Sequence, residues 1–184
     1  IERDGDTRKD YQPERDFIVR NIVKDIRHNK ELIAEIDDEL RKLIPLTGYK
    51  LHTMPGIDLV TEAQIISEIG DINRFPDSDK LDRFMGLAPV QFSSAGKGKN
   101  QRCRNGNRAL NAIFHFLAIQ MVAISASGKP RHPVFREYFE QKVKEGKNKP
   151  QALMCMARRL VRIIYGMMKT KTEYRPYEKV DGKN

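Results

Sequence analysis

From Val19 to Leu43 the apolar positions recur alternately three and four residues apart: Val19, Ile22, Ile26, Asn29, Ile33, Ile36, Leu40 and Leu43. A seam kept through almost four heptads fits a coiled coil or helical hairpin better than an ordinary surface helix. Only Asn29 breaks it. A polar residue inside such a seam costs stability but fixes register, because a misaligned partner would bury it against an aliphatic side chain. Val23, Leu32 and Ile44 widen the stripe. The pattern predicts one long coiled-coil helix over residues 14–45 and a homodimer or larger assembly formed through it. A helix that packs only on its own domain is the alternative. Pro45 and Gly48 are expected to end the helix, and the polar, aperiodic residues 1–13 read as a loop or linker.

Beyond the seam the chain has helical periodicity and no strand signal of any strength, so the fold class is mostly α. Residues 46–170 are expected to form one compact helical domain, and residues 171–184 a flexible tail. Leu51-His52-Thr53-Met54-Pro55-Gly56-Ile57-Asp58 predicts a short helix, a tight Pro-Gly turn and a second helix, with Ala63 small enough for close approach. This is a helix-hairpin-helix-like motif, in which turn N–H groups around Gly56 and a helix N-terminus face a phosphate. Asp58 stands where a second glycine is usual, and can cap the helix instead. An αα-corner that only packs is the competing reading. The periodic run Leu110, Ile113, Phe114, Leu117, Met121 and Ile124 is expected to be the central buried helix, with His115 a satisfied core residue. A final helix carries Leu153, Met156, Leu160, Ile164 and Met167, with Arg158, Arg159 and Arg162 on its other face.

Charge is distributed unevenly. Arg83 to Arg136 contains no Asp or Glu but nine Lys and Arg, and the formal net charge of the 184-residue chain is +9. The whole excess therefore belongs to one segment, the footprint of a polyanion-binding surface. Its densest part, Phe92 to Arg108, sets Ser93 and Ser94 among Lys97, Lys99, Arg102, Arg104 and Arg108. The order Gly96-Lys97-Gly98 is not a P-loop, and without a nearby acid a Ser-His-Asp triad is a poor fit. A hydroxyl attacking a DNA phosphodiester needs cations to hold the charge on the phosphoryl oxygens, and these side chains could supply them. A serine that only contacts phosphate is the plainer possibility. No apolar run is long enough to cross a membrane. Cys103 and Cys155 suggest neither a disulfide framework nor a zinc site, which points to a cytoplasmic protein. The chain opens on Ile1 and a charged run, as an interior piece of a longer protein would.

Taken together, several segments resemble one family. They are Thr53-Met54-Pro55-Gly56-Ile57, Glu68-Ile69-Gly70-Asp71, Gly86-Leu87-Ala88-Pro89 with Ser93-Ser94, Asn105-Gly106-Asn107-Arg108-Ala109-Leu110, and Gly146 to Leu153 followed by Ala157-Arg158-Arg159-Leu160. In this order they resemble the C-terminal part of the IS-one-ten type of insertion-sequence transposase, the bridge-RNA-guided recombinases related to Piv DNA invertases, over roughly residues 14–170. The resemblance implies a transposase or site-specific recombinase acting through a phosphoserine–DNA intermediate in a bacterial or archaeal cytoplasm. It implies double-stranded donor and target DNA and a bridge RNA as partners. The nucleophile would be Ser94, five residues after Pro89, with Ser93 as the alternative. The contacts to nucleic acid would be Lys97, Lys99, Arg102, Arg104, Asn107, Arg108 and Gly56. The family pattern has Gly after the serine, where Ala95 stands, and often Arg where Asn111 stands. No metal or cofactor is expected in this chain. Mg2+ would sit in a separate N-terminal RuvC-like domain, without which this piece would be inactive. A non-catalytic helix-hairpin-helix nucleic-acid-binding module is the alternative.

Overall fold

The computed structural model describes residues 11–88 and 105–176, with the backbone alone of residues 90–92 and 99–101. As the periodicity requires, the described residues are mostly helical. The chain divides into two compact units, one ending at Lys42 and one beginning at Leu43.

The first unit is most of a single helix, α1 (Gln12–Thr47). Within it Asn29 donates its side-chain amide to the Asp25 carbonyl at 2.8 Å, so the polar break in the seam is satisfied by its own helix. The seam itself is open: Ile26, Ile33 and Ile36 are 49%, 58% and 58% exposed. Ile44 is the one buried residue of α1 and belongs to the second unit. Pro45 does not end the helix as expected. The helix continues to Thr47, and Gly48, at φ +73°, turns the chain while its N–H bonds the Pro45 carbonyl.

Past the end of α1 the second unit continues with a 3-10 turn (Leu51–Thr53), the Met54–Ile57 turn and α2 (Leu59–Ile69), which Asp58 caps by accepting from the Thr61 N–H at 2.8 Å. Gly70 closes α2. A second 3-10 turn (Ile72–Arg74) leads to α3 (Ser78–Phe84), capped by Asp77. Two three-residue strands follow, β1 (Val90–Phe92) and β2 (Lys99–Gln101). They are antiparallel, with Val90 opposite Gln101 and Phe92 opposite Lys99. Sequence reading found no strand here because three residues are too few for alternation to register. Then come α4 (Arg108–Val122), α5 (Pro133–Lys144) and α6 (Lys149–Thr170). The start of α6 is a capping box, in which Asn148 accepts from Gln151 N–H and Gln151 accepts from Asn148 N–H.

The central helix is α6, not α4. Its Ala152, Met156, Ala157, Leu160, Val161, Ile164, Met167 and Met168 are all buried, and it packs against α3, α4 and α5. Each such Leu, Ile or Met contributes roughly 1.5–3 kcal/mol relative to an exposed one. By contrast α4 is covered on one side only. Leu110, Phe114, Leu117 and Met121 are buried, but Ile119 is 43% exposed, Phe116 61% exposed, and His115 faces out rather than lying in the core. The expected last member of the stripe, Ile124, lies beyond the end of α4. Beyond α6 the chain is held as far as Pro176. The Tyr174 N–H donates to the Thr53 hydroxyl at 2.8 Å, and Glu173 pairs with Lys50 at 2.9 Å, so residues 172–176 are not loose as the tail was expected to be.

Candidate nucleic-acid interface

The densest part of the acid-free segment lies between Ala88 and Asn105, and the described residues that flank it on both sides are tied together. Gly86 and Gly106 meet backbone to backbone. A methyl group built on Gly86 would lie 2.8 Å from the Asn105 carbonyl oxygen, and one on Gly106 would lie 2.7 Å from the Gly86 nitrogen. Neither contact can give way by rotating a side chain. The Asn107 N–H donates to the Phe84 carbonyl at 2.9 Å, and the Asn111 amide donates to the Met85 carbonyl at 3.0 Å. Asn107 commits both side-chain atoms: Oδ1 accepts from the Leu110 N–H, capping α4, and Nδ2 donates to Glu68 Oε2 at 2.6 Å. On the other side the Leu87 and Ala88 N–H groups donate to the Asp82 backbone carbonyl. The 3%-exposed Asp82 carboxylate accepts from Nε–H of Arg158 on α6. Its second oxygen, Oδ1, is buried without a hydrogen-bond partner among the described residues, and burial pushes the carboxyl pKa up against the pull of Arg158. Segments far apart in the chain thus converge on one structural foot, on either side of the stretch that carries the β1–β2 pair.

Of the residues singled out from sequence, Ser93, Ser94, Lys97, Arg102 and Arg104 lie outside the described residues. Lys99 is described only as backbone, at the start of β2 opposite Phe92. Asn107 stands at the foot, and Arg108, the first residue of α4, is exposed beside it. Gly56 is elsewhere. At φ +84° it packs on the far half of α4, where a methyl group would meet Met121 Cε at 2.7 Å and Gln120 Oε1 at 3.1 Å. Twelve residues separate Arg108 from Gln120, about 18 Å at 1.5 Å per helical residue. The Pro-Gly turn and the foot of the basic segment therefore occupy opposite ends of α4 and cannot contact one phosphate.

The turn has a support that sequence reading missed. Glu62 of α2 is fully buried. Its Oε1 accepts from the Leu51 N–H at 2.7 Å, and its Oε2 lies 2.8 Å from His52 Nδ1. The 3-10 turn is thus clamped to α2. At the mouth of the turn Asp58 carries its charge on the α2 N-terminus. Hydrogen bonds from the Thr61 side chain and backbone lower its pKa. The pairings made by Glu62, Glu68, Asp82 and Arg158 gave no local signal because each joins residues distant in the chain, Arg158 to one 76 positions away.

The described acids near the foot are already engaged. Glu68 is engaged by Asn107, Asp82 by Arg158, and Asp79 lies 3.7 Å from Arg162. Among the described residues no three His, Cys, Asp or Glu side chains group as a cation would need. No described helix is long and apolar enough to cross a membrane.

The geometry coincides with a known sequence family. The profile of the transposase IS116/IS110/IS902 family matches residues 48–140, from the end of α1 into α5. The chain is similar to an IS116 insertion-element protein of Streptomyces clavuligerus, 30% identical over 162 residues, which is 84% of this chain and 39% of that protein. An IS110 insertion-element protein of Streptomyces coelicolor is 26% identical over 86% of this chain and 38% of its own length. A pilin gene-inverting protein of Moraxella lacunata is 28% identical over 84% of this chain and 48% of its own length. The chain therefore spans less than half the length of these relatives. The Glu68, Gly86, Gly106, Asn107 and Asn111 contacts all fall inside the matched segment, and the chain belongs to the IS116/IS110/IS902 transposase family.

Proposed function

We propose that the chain is the DNA-binding, serine-bearing part of a transposase or site-specific recombinase that moves an insertion element. The observation that carries this is the foot. Glu68, Gly86, Gly106, Asn107 and Asn111 make no reactive centre themselves, yet all are directed at closing the base of the acid-free segment that contains Ser93 and Ser94. A rigid base for a cationic hairpin is what a site needs when its task is to hold a phosphodiester in one orientation. In the proposed reaction the Ser94 hydroxyl oxygen bonds to a DNA phosphorus as the bond from that phosphorus to a sugar oxygen breaks. The serine proton is lost and the sugar oxygen is protonated. Lys97, Lys99, Arg102, Arg104 and Arg108 neutralise the phosphoryl oxygens as charge shifts across them. Donor and target DNA are the substrates, a bridge RNA selects them, and the open seam of α1 joins protomers. The Pro-Gly turn at Gly56 serves as a second, helix-hairpin-helix-like contact about 18 Å along α4.

The test is adduct formation in full-length protein supplied with its RNA and DNA. Wild type is expected to give a denaturation-resistant protein–DNA species that Ser94→Ala abolishes and Ser93→Ala preserves. An adduct that survives Ser94→Ala refutes the assignment. Wild-type protein that binds DNA in a salt-sensitive manner but never forms an adduct supports a binding module instead.

A further inference from the structure

Residues 172–176 do more than cover the core. Two clefts flank Tyr174. One, of about 370 Å³, is lined by Val134, Phe135, Arg159, Ile163 and Arg175, and the other, of about 410 Å³, by Arg162, Gly166, Met167, Thr170 and Arg175. Tyr174 stands between them as a shared wall. It is half-buried and fixed from behind, with its N–H on the Thr53 hydroxyl at 2.8 Å and its ring 6.5 Å from Phe135. Both clefts fall in the ~300–1,000 Å³ range of small-ligand sites, so either has room for a single planar group.

The walls are cationic. The Arg159 guanidinium lies over the Tyr138 ring at 4.5 Å, which holds it in place without neutralising it. Among the described residues Arg159 and Arg175 form no ion pair. Arg162 is 3.7 Å from Asp79, an exposed pair that a phosphate could displace at little cost. The single acid among the lining residues, Glu173, is already held by Lys50. An aromatic face between cations is the construction that binds unpaired nucleic acid, with bases stacking on the ring while phosphates follow the charges. One cleft reaches towards the foot: Arg162 of its wall lies 3.7 Å from Asp79 of α3, the helix that carries Asp82.

We propose that the two clefts flanking Tyr174 bind an unpaired stretch of nucleic acid. A base stacks against Tyr174, and the phosphates meet Arg159, Arg162 and Arg175. This site uses no lining residue of the basic segment or of the Pro-Gly turn, although Tyr174 is anchored to Thr53 beside that turn, and it goes beyond the function proposed above. Strand exchange necessarily exposes unpaired bases, and here they would be held close to the foot.

The experiment measures binding of the 184-residue chain to a fluorescein-labelled oligothymidylate of about 12 nucleotides, within the ~4–16-nucleotide range of single-strand sites, and to a duplex of the same length. Tyr174→Ala is expected to weaken the oligothymidylate by roughly 5- to 150-fold, the range for one lost stacking contact, and to leave duplex affinity within about twofold. Tyr174→Phe keeps the ring and is expected to bind as wild type does, which separates stacking from misfolding. Bromodeoxyuridine in the oligonucleotide should photocrosslink to the peptide containing Tyr174. Three results would overturn the proposal. One is a Tyr174→Ala protein with unchanged oligothymidylate affinity. Another is an equal loss on single strand and duplex, which would mean that Tyr174 only supports the turn through Thr53. The third is competition by polyglutamate as effective as by unlabelled oligothymidylate, which would make the cleft a seat for acidic peptide. None of these measurements involves the serine reaction, so this site and the Ser94 assignment can fail independently.

Discussion

If the foot of the basic segment depends on two backbones touching, a single methyl group there should cost far more than the same methyl elsewhere. Gly86 and Gly128 provide the comparison. They have nearly the same φ, +72° and +77°, but a Cβ on Gly86 would meet the Asn105 carbonyl oxygen at 2.8 Å, whereas one on Gly128 would meet nothing among the described residues within 4 Å. Alanine at either position carries the left-handed penalty of about 1–2 kcal/mol, partly offset by the lower entropy of its unfolded chain. Only at Gly86 is a steric cost added, about 1–3 kcal/mol for an overpacked site. Gly86→Ala should therefore be less stable than Gly128→Ala by about 1–3 kcal/mol, a large part of the roughly 5–15 kcal/mol that a domain has in total. Urea unfolding followed by circular dichroism reads this as a lower midpoint at unchanged slope. Gly106→Ala should behave like Gly86→Ala, since its Cβ would meet the Gly86 nitrogen at 2.7 Å. The double variant should lose less than the sum, because the first methyl already opens the contact the second would strain. Equal midpoints for Gly86→Ala and Gly128→Ala would refute the reasoning, and strict additivity of the two foot substitutions would show that the glycines do not act on each other.

Two other outcomes follow from the described residues. Asp58→Ala should destabilise the chain by about 0.5–2 kcal/mol, as loss of an N-cap does, while Asp58→Asn stays close to wild type at neutral pH. The carboxyl pKa of Asp58 is depressed below its usual 3.8, so its contribution is fully present above that value and is lost as pH falls through the lower folded-state value. Acid titration of the Asn variant should lack that portion of the loss, and an identical acid profile would contradict the cap. For α1, sedimentation of wild type should show a dimer or larger species that Ile26→Asp or Ile33→Asp shifts towards monomer, because both side chains lie on the open seam. A wild-type monomer at high concentration, indifferent to either substitution, would leave the seam without a partner.

What could be read from sequence was local. The heptad seam, the Asp58 cap and the end of α2 at Gly70 each involve residues within a few positions of one another, and the helices have the periodicity the apolar residues require. Errors arose where the decision was made by distant packing. Both α4 and α6 have apolar stripes, and nothing inside either stripe says which helix the others surround. The answer lies in the buried Ala152 and Ala157 on α6, small residues that permit close approach, against the exposed Phe116 and Ile119 on α4. Pro45 was read as a terminator because it cannot donate to the preceding turn. It sits only two residues before the helix ends at Thr47, so the interruption costs little of the helix. The site was legible as charge and as a motif order, but not as a mechanism of closure. No rule of spacing links Glu68 to Asn107 or Asp82 to Arg158, since each pair is made by the fold.

That closure changes what the motif residues mean. The resemblance groups Asn107 with the nucleic-acid contacts, yet its side chain is already committed to the Leu110 N–H and to Glu68. Within the proposed function its task is to aim its neighbour: capping α4 sets where the helix begins, and therefore where the exposed Arg108 is presented. Gly56 is displaced in the same sense, since it faces α4 some 18 Å from Arg108. A ligand that met both would have to run along α4 for about five nucleotide steps at 3.4 Å each. A single phosphate, a mononucleotide or a short phosphopeptide could not do so. If both contacts are used together, the length of α4 itself selects an extended polyanion, and the acid-free stretch from Arg83 to Arg136, which contains the whole of that helix, removes every carboxylate from its own sequence that would repel one.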